Sequence, residues 1–124
     1  MPLFSKDTLT LPKEDELEIS IFGPGYGESI VLHIPQVGWG IIDSCVQKFG
    51  NTTIIPTLEY LLNIIKPSFP KLAFVILTHP YQAHCEGLDK IIKEYPGGVD
   101  RVCRHDGYGI RELRAYNADS NTIA

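Results

Sequence analysis

The sequence predicts an α/β fold in which a β-meander precedes alternating strands and helices. Three short apolar segments, separated by turns rich in glycine and proline, occupy residues 16–43. The run LAFVIL at residues 72–77 is continuously apolar, as in a strand buried inside a sheet. Segments on both sides of this run repeat apolar residues at helical spacing. The predicted order is therefore β-β-β-α-β-α-β-α, which is the order of a layered α/β domain.

The first strand is predicted at residues 16–22, ELEISIF, where polar and apolar residues alternate. This alternation places Leu17, Ile19 and Ile21 on one face, which is the period of a half-buried strand. The segment GPGYGES follows and is a turn by composition.

Two further strands complete the predicted meander. Residues 29–34, SIVLHI, form the second strand, which ends at Pro35. On this strand His33 lies on the face opposite Ile30, so we interpret it as a surface or interlayer histidine. The third strand, WGIID, covers residues 39–43.

The first helix is predicted within residues 56–67, PTLEYLLNIIKP, because leucine and isoleucine recur there at helical spacing. Pro56 suits the first turn of this helix, and Pro67 cannot continue it. The strand at residues 72–77 is apolar on both faces, so we expect it to be central and covered on both sides.

The remaining predicted elements alternate between helix and strand. Residues 88–95, LDKIIKEY, predict an amphipathic helix, residues 99–103 a short strand, and residues 110–116 a last helix. The expected organisation is an N-terminal extension at residues 1–15, one partial domain at residues 16–117, and a polar tail at residues 118–124.

Composition and charge narrow the possible classes of protein. Of 124 residues, 44% are hydrophobic and 21% are charged, which is typical of a globular domain. The net charge of −4 argues against a nucleic-acid-binding surface. The three cysteines, Cys45, Cys85 and Cys103, form neither a disulfide framework nor a zinc knuckle. With no membrane-spanning stretch and no signal segment, we expect a reduced, cytoplasmic, soluble protein.

Three polar residues follow predicted strands or precede a helix. His79 comes just after the buried strand, His84 precedes the next helix, and Asp43 ends the third strand. Loops at the carboxyl ends of strands in α/β sheets commonly carry functional sites. Two imidazoles and a carboxylate are suited to a zinc site or a general-base pair. The alternative is that both histidines belong to the loop and bond to the backbone.

The segments FGPGYGESIVLHI, GWGIIDSC and LTHPYQAHCEGL together resemble the N-terminal half of the metallo-β-lactamase-fold hydrolase superfamily, nearest to its competence-protein-type branch. That family opens with a β-meander and a strand ending in Asp, and carries the motif T-H-x-H-x-D-H-x-x-G after a buried strand. Thr78, His79, His84 and Gly87 match the motif in register, and Asp43 matches the strand-ending Asp. The resemblance implies the first αββα half of that fold, with Asp43 orienting the metal loop.

The motif departs from the family at two ligand positions. Tyr81 stands where the family has its second His, and Ala83 stands where it has Asp. By resemblance, His79 and His84 each remain as the single ligand from this motif to one metal. A phenol ionises near pH 10, so Tyr81 is a poor zinc ligand, and zinc needs three or four protein ligands. The resemblance therefore implies zinc at reduced or absent occupancy.

Three functions stay open at this point. The first is a metal-dependent hydrolase acting on a phosphodiester, ester or amide, expected to be weak or inactive alone because its metal loop is degenerate and the family's second half has no counterpart here. The second is a relative that works as a non-catalytic binding or assembly module. The third is a fragment that needs a partner chain. In each case we expect self-association or a partner to cover an exposed sheet face.

Overall fold

The computed structural model describes residues 10–23, 27–65, 68–78 and 87–104, and within them it has an α/β architecture. The coarse fold class predicted from the sequence is therefore confirmed. In chain order the elements are β1 Glu18–Phe22, β2 Ser29–Ile34, β3 Gly38–Ile42, β4 Gln47–Phe49, β5 Thr52–Ile54, α1 Pro56–Ile64, β6 Phe74–Leu77, α2 Leu88–Glu94 and β7 Val102–Arg104.

The main sheet has five strands in the order β1-β2-β3-β6-β7 and is mixed. β1, β2 and β3 pair antiparallel, as the predicted meander requires, whereas β3, β6 and β7 pair parallel. Helices α1 and α2 lie in the connections between the parallel strands. The carboxyl ends of β3, β6 and β7 consequently meet at one edge of the sheet.

The hydrophobic core lies between the sheet and the two helices. Alternate residues of β2, β3 and β6 point to one face, where they meet the apolar side chains of α1 and α2 in a single cluster. Both described helices therefore cover the same face. The fully buried side chains of this cluster include Val31, Ile41, Leu61, Ile64, Leu72, Val75, Leu88 and Ile91.

The apolar side of β1 is not the side that the helices cover. Tyr60 of α1 donates a hydrogen bond to Glu18 at 2.9 Å and packs its ring against Phe22, so the polar side of β1 faces the helices. Polar and apolar residues do alternate along β1, as predicted. The side that α1 covers is the one that carries Glu18 and Phe22. The exposed fractions on the other side are 61% for Leu17, 56% for Ile19 and 68% for Ile21.

Several boundaries differ from the prediction. β6 is central, yet only Val75 and Leu77 are buried, so the described elements cover one of its faces and not both as expected. β7 starts later than residue 99, because Val99 makes only an isolated bridge with Leu72. The β4–β5 hairpin was not predicted. The predicted helix at residues 110–116 lies outside the described residues.

In the described residues, no helix has the length and apolar character that crossing a membrane requires.

Candidate functional site

Asp43 lies directly after β3, at the edge where the parallel strands end. Its backbone is in the left-handed region, with φ of 59°, and its backbone N–H donates to the carbonyl of Ile76 in β6 at 2.8 Å. Left-handed backbone is uncommon outside glycine, and Asp and Asn adopt it more readily than other residues. The turn therefore directs the Asp43 side chain toward the end of β6, where it is only 4% exposed.

The carboxylate of Asp43 is held by Thr78, the first residue after β6. Oδ1 accepts a hydrogen bond from the Thr78 backbone N–H at 2.8 Å, and Oδ2 accepts one from Thr78 Oγ1 at 2.5 Å. Hydrogen bonds to an ionised carboxylate are shorter and stronger than those between neutral groups. Asp43 therefore fixes the first residue of the segment that carries His79.

A second set of hydrogen bonds holds the backbone of Asp43. Ser29 Oγ donates to the carbonyl of Asp43 at 2.8 Å and is also hydrogen-bonded to Thr57 Oγ1. Ser29 begins β2 and Thr57 lies in the first turn of α1, and both side chains are fully buried. Asp43 is thus tied to β2, α1 and β6 together. Sequence reasoning missed Ser29 and Thr57, although Ser29 shares the strand face of buried Val31.

The two residues after Asp43 are also buried. Among the described residues, Ser44 Oγ has no hydrogen-bond partner although it is buried. Burial raises the pKa of the Cys45 thiol, with a smaller contribution from the charge of Glu28. Cys45 Sγ donates a weak hydrogen bond to the carbonyl of Phe22 at 3.7 Å. A thiol with a raised pKa stays protonated at neutral pH, so Cys45 is a core residue and not a nucleophile.

Gly87 marks the other end of the segment that follows Thr78. It precedes α2, has φ of 83°, and lies against Ile55 just before α1. A Cβ at this position would come within 2.9 Å of the Ile55 side chain. Both the left-handed backbone and the close approach favour glycine here. The chain is therefore anchored at Thr78, before the predicted ligands, and at Gly87, after them.

The predicted metal ligands are not among the residues the structure describes. His79 and His84, with the substituted positions Tyr81 and Ala83, lie outside them. Within the described ranges, no group of three or more His, Cys, Asp or Glu side chains could hold a metal ion. Both oxygens of Asp43 contact Thr78, so the described contacts suit Asp43 to positioning the chain. Zinc binding by His79 and His84 stays a prediction.

An open cavity of about 800 Å³ lies at the opposite end of the sheet, around the turn between β2 and β3. Its lining includes the half-buried His33. The Nδ1 atom of His33 lies 2.7 Å from the carbonyl oxygen of Glu16. The His33 ring packs on the Trp39 ring, with 4.9 Å between the ring centroids. The lining contains neither Asp43 nor Thr78. This cavity is therefore separate from the carboxyl edge of the parallel strands.

Fold and site together define an α/β protein with a mixed sheet and a polar, hydrogen-bonded edge where its parallel strands end. No protein-family model matches the chain, and neither the curated proteins nor the solved structures include a significant match to it.

Proposed function

We propose that this chain is a metallo-β-lactamase-like domain of the hydrolase family, with an incomplete metal loop that leaves it weak or inactive alone. The observation that carries the proposal is the contact between Asp43 and Thr78. A buried carboxylate after one strand holds both the backbone and the hydroxyl of the residue that follows the neighbouring parallel strand. This contact fixes where the segment containing His79 and His84 begins.

The position of the contact supports a site rather than a purely structural turn. The carboxyl edge of parallel strands is where α/β sheets place ligands, because loops there leave rigid elements and face a crevice. The backbone strain at Asp43 is maintained by hydrogen bonds from β2 and β6, and strained residues held in this way are concentrated at functional sites. The contact is also the one that an orienting role for Asp43 requires.

The substitutions at Tyr81 and Ala83 limit what the loop can do. His79 and His84 are the two imidazoles that remain from the motif, and two ligands are fewer than a catalytic zinc site normally uses. When bound, zinc would act as a Lewis acid and lower the pKa of a bound water. The chain's own contribution is positional, since Asp43 holds Thr78 and thereby the start of the loop.

Zinc titration by calorimetry tests this function. We expect weak zinc binding that is lost in His79→Ala and in His84→Ala, and unchanged in the control His33→Ala, whose histidine lies at the other end of the sheet. Asp43→Asn should weaken zinc binding without abolishing it, because it loosens the loop but removes no ligand. Equal zinc affinity in all four variants would contradict the proposal. A folded protein that binds no zinc would favour the second candidate.

The second candidate is a non-catalytic assembly module whose sheet is covered by a partner chain. The exposed apolar side of β1 favours it, since Leu17, Ile19 and Ile21 are all more than half exposed. Large apolar side chains that cluster on a surface commonly mark an interaction site. If the chain is such an assembly module, the hydrogen bonds of Asp43 only stabilise the folded state.

A further inference from the structure

A hydrogen-bonded turn before β1 forms one side of the open cavity at the β2–β3 end of the sheet. The backbone N–H of Glu16 donates to the carbonyl of Lys13 at 3.0 Å, and the backbone N–H of Lys13 donates to Oε1 of Glu16 at 2.7 Å. The carbonyl of Glu16 accepts a hydrogen bond from His33, which ties the turn to β2. Glu14 and Asp15 are the central residues of this turn, and both line the cavity. The turn therefore places two carboxylates beside the cavity.

The charged side chains in the described lining of the cavity are both acidic. Glu14 and Asp15 are exposed, and neither has an ion-pair partner among the described residues. The part of the lining that the structure describes contains no Lys or Arg side chain. Two carboxylates at a cavity with apolar walls give it a negative potential, which raises the local concentration of cations. Charge complementarity therefore favours a cationic occupant.

His33 contributes a hydrogen-bond acceptor to the same cavity. A carbonyl oxygen can only accept, so Nδ1 of His33 carries the proton that is donated to Glu16. In the neutral imidazole the other nitrogen, Nε2, is then an acceptor. The Trp39 ring is only 7% exposed and packs against the His33 ring, which restricts its orientation. An imidazole acceptor beside two carboxylates suits a ligand that carries positive charge on N–H groups.

Gln36 lines the cavity from a strained turn between β2 and β3. The Val37 backbone N–H donates to the carbonyl of Ile34 at 3.0 Å and closes this turn, in which Pro35 precedes Gln36. The φ of Gln36 is 67°, a left-handed conformation that favours Gly or Asn at this position of a turn. Residues held in such backbone are concentrated at functional sites. The side-chain amide of Gln36 therefore offers a further acceptor at the cavity.

Apolar side chains form the rest of the cavity wall. Leu11, before the acidic turn, and Val37, in the turn after β2, are 43% and 55% exposed, so both present uncovered apolar surface. Trp39 and Ile65 form a buried part of the lining. The cavity volume of about 800 Å³ lies within the roughly 300–1,000 Å³ of small-molecule sites, which are mostly apolar with a few placed polar groups. The cavity thus has the size and composition of a small-molecule site.

We propose that this cavity binds a small organic cation, in which an amine or guanidine is attached to an apolar chain or ring. The positive group lies beside the carboxylates of Glu14 and Asp15 and donates hydrogen bonds to Nε2 of His33 and to the amide oxygen of Gln36. The apolar part of the ligand packs on the apolar wall. The inference goes beyond the proposed function and does not depend on the metal loop.

Tryptophan fluorescence tests the site directly, because Trp39 is the single tryptophan of the chain and lines the cavity. The probe is 2-phenylethylamine, a cation at neutral pH, compared with 2-phenylethanol and phenylacetate, which carry the same ring without charge and with negative charge. We expect saturable binding of the amine with a Kd of about 1 mM or lower. The alcohol should bind at least about fivefold more weakly, and phenylacetate more weakly still. A folded protein that does not bind the amine, or that binds the alcohol equally well, would overturn the proposal.

A double variant tests the role of the two carboxylates. Glu14→Gln combined with Asp15→Asn removes both charges and retains the size of the side chains, so we expect about fivefold weaker binding of the amine and unchanged binding of the alcohol. Asp89→Asn combined with Glu94→Gln is the matched control, because it removes the same two charges from α2, outside the cavity lining. This control should retain wild-type affinity. An equal loss in both double variants would mean that only net charge matters, which would overturn the site.

Gln36→Gly separates a contact with the ligand from a structural role. Glycine adopts positive φ without steric cost, so the melting temperature of this variant should equal or exceed that of the wild type. Its affinity for 2-phenylethylamine should nevertheless fall about threefold, because the variant lacks one hydrogen-bond acceptor. A loss of affinity without a loss of stability cannot arise from unfolding. An unchanged affinity would overturn the arrangement proposed here.

Discussion

The carboxylate of Asp43 accepts two hydrogen bonds from Thr78, a residue 35 positions later in the chain. We expect Asp43→Asn to destabilise the fold by about 2 kcal/mol, because a buried hydrogen bond to a charged group contributes roughly 1.5–3 kcal/mol. Asn also tolerates left-handed backbone, so this change removes the charge without adding backbone strain. Urea unfolding measures the difference in free energy.

Thr78→Val provides the companion variant for a double-mutant cycle. Since both substitutions disrupt the same contact, the loss in the double variant should be smaller than the sum of the two single losses by about 1 kcal/mol or more. Additive losses would mean that the contact does not stabilise the folded state.

The approach of Gly87 to Ile55 gives a second prediction. Gly87→Ala should destabilise the protein more than Gly50→Ala, because both glycines have positive φ but a Cβ at Gly50 would meet no atom within 4 Å. We expect about 1 kcal/mol for Gly50→Ala and about 2–3 kcal/mol for Gly87→Ala, the difference arising from overpacking. Equal melting temperatures for the two variants would contradict this account.

The close approach of Phe74 to Gly40 gives a third prediction, because a Cβ at Gly40 would lie only 2.0–2.4 Å from three carbons of the Phe74 ring. Gly40→Ala should cost about 1–3 kcal/mol, since the new methyl group displaces a ring that already fills that space. Phe74→Leu in the same chain should recover part of this loss, because a smaller side chain makes room for the methyl group. Thermal unfolding of the two single variants and the double variant measures the recovery, and no recovery would show that the clash lies elsewhere.

Stability should fall at high pH because of Tyr60 and Tyr95. Burial raises the pKa of both phenols to about 12, and at Tyr60 the hydrogen bond to Glu18 and its charge contribute further. The unfolded phenols ionise near pH 10, so the folded state retains protons that the unfolded state loses. The stabilisation is therefore complete below pH 10 and is lost as the pH rises toward 12.

Tyr60→Phe isolates one of these two contributions. Urea midpoints at pH 9 and pH 11 should differ less in this variant than in the wild type, because one phenol no longer titrates. The same decline in both proteins would mean that Tyr60 ionises with an ordinary pKa in the folded state.

Helix α1 and the strands of the meander were predictable because the residues that specify each of them lie within or beside that element in the sequence. Pro56 and the helical spacing of apolar residues placed α1, and the glycine- and proline-rich turns delimited the meander. The β4–β5 hairpin also had a signal that was overlooked, since Gly50 and Asn51 form a two-residue turn between short strand-forming segments. The orientation of β1 is a different matter, because the sequence pattern made no prediction of which side the helices cover. Alternation separates two sides of a strand, but which side faces the helices is decided by packing against Tyr60.

The position of Asp43 at the end of a strand was predictable from the sequence, whereas its contacts were not. Asp43 was recognisable as a polar residue ending an apolar strand. That its partner is Thr78, and that Ser29 and Thr57 hold its backbone, depends on the parallel register of β3 and β6 and on where α1 crosses the sheet. Such register is set by side-chain packing across the layers, so no local pattern encodes it.

The sheet order also implies a sequence of folding events. β1, β2 and β3 are joined by short turns, so they pair with little loss of loop entropy, whereas β6 reaches β3 only after a crossover of about thirty residues containing the hairpin and α1. We expect the meander to form first and β6 to add later, with Asp43 already in place at the end of β3. Pulse-labelling hydrogen exchange would show this as protection of Val31 and Ile41 before Val75, and simultaneous protection would argue for a single concerted step.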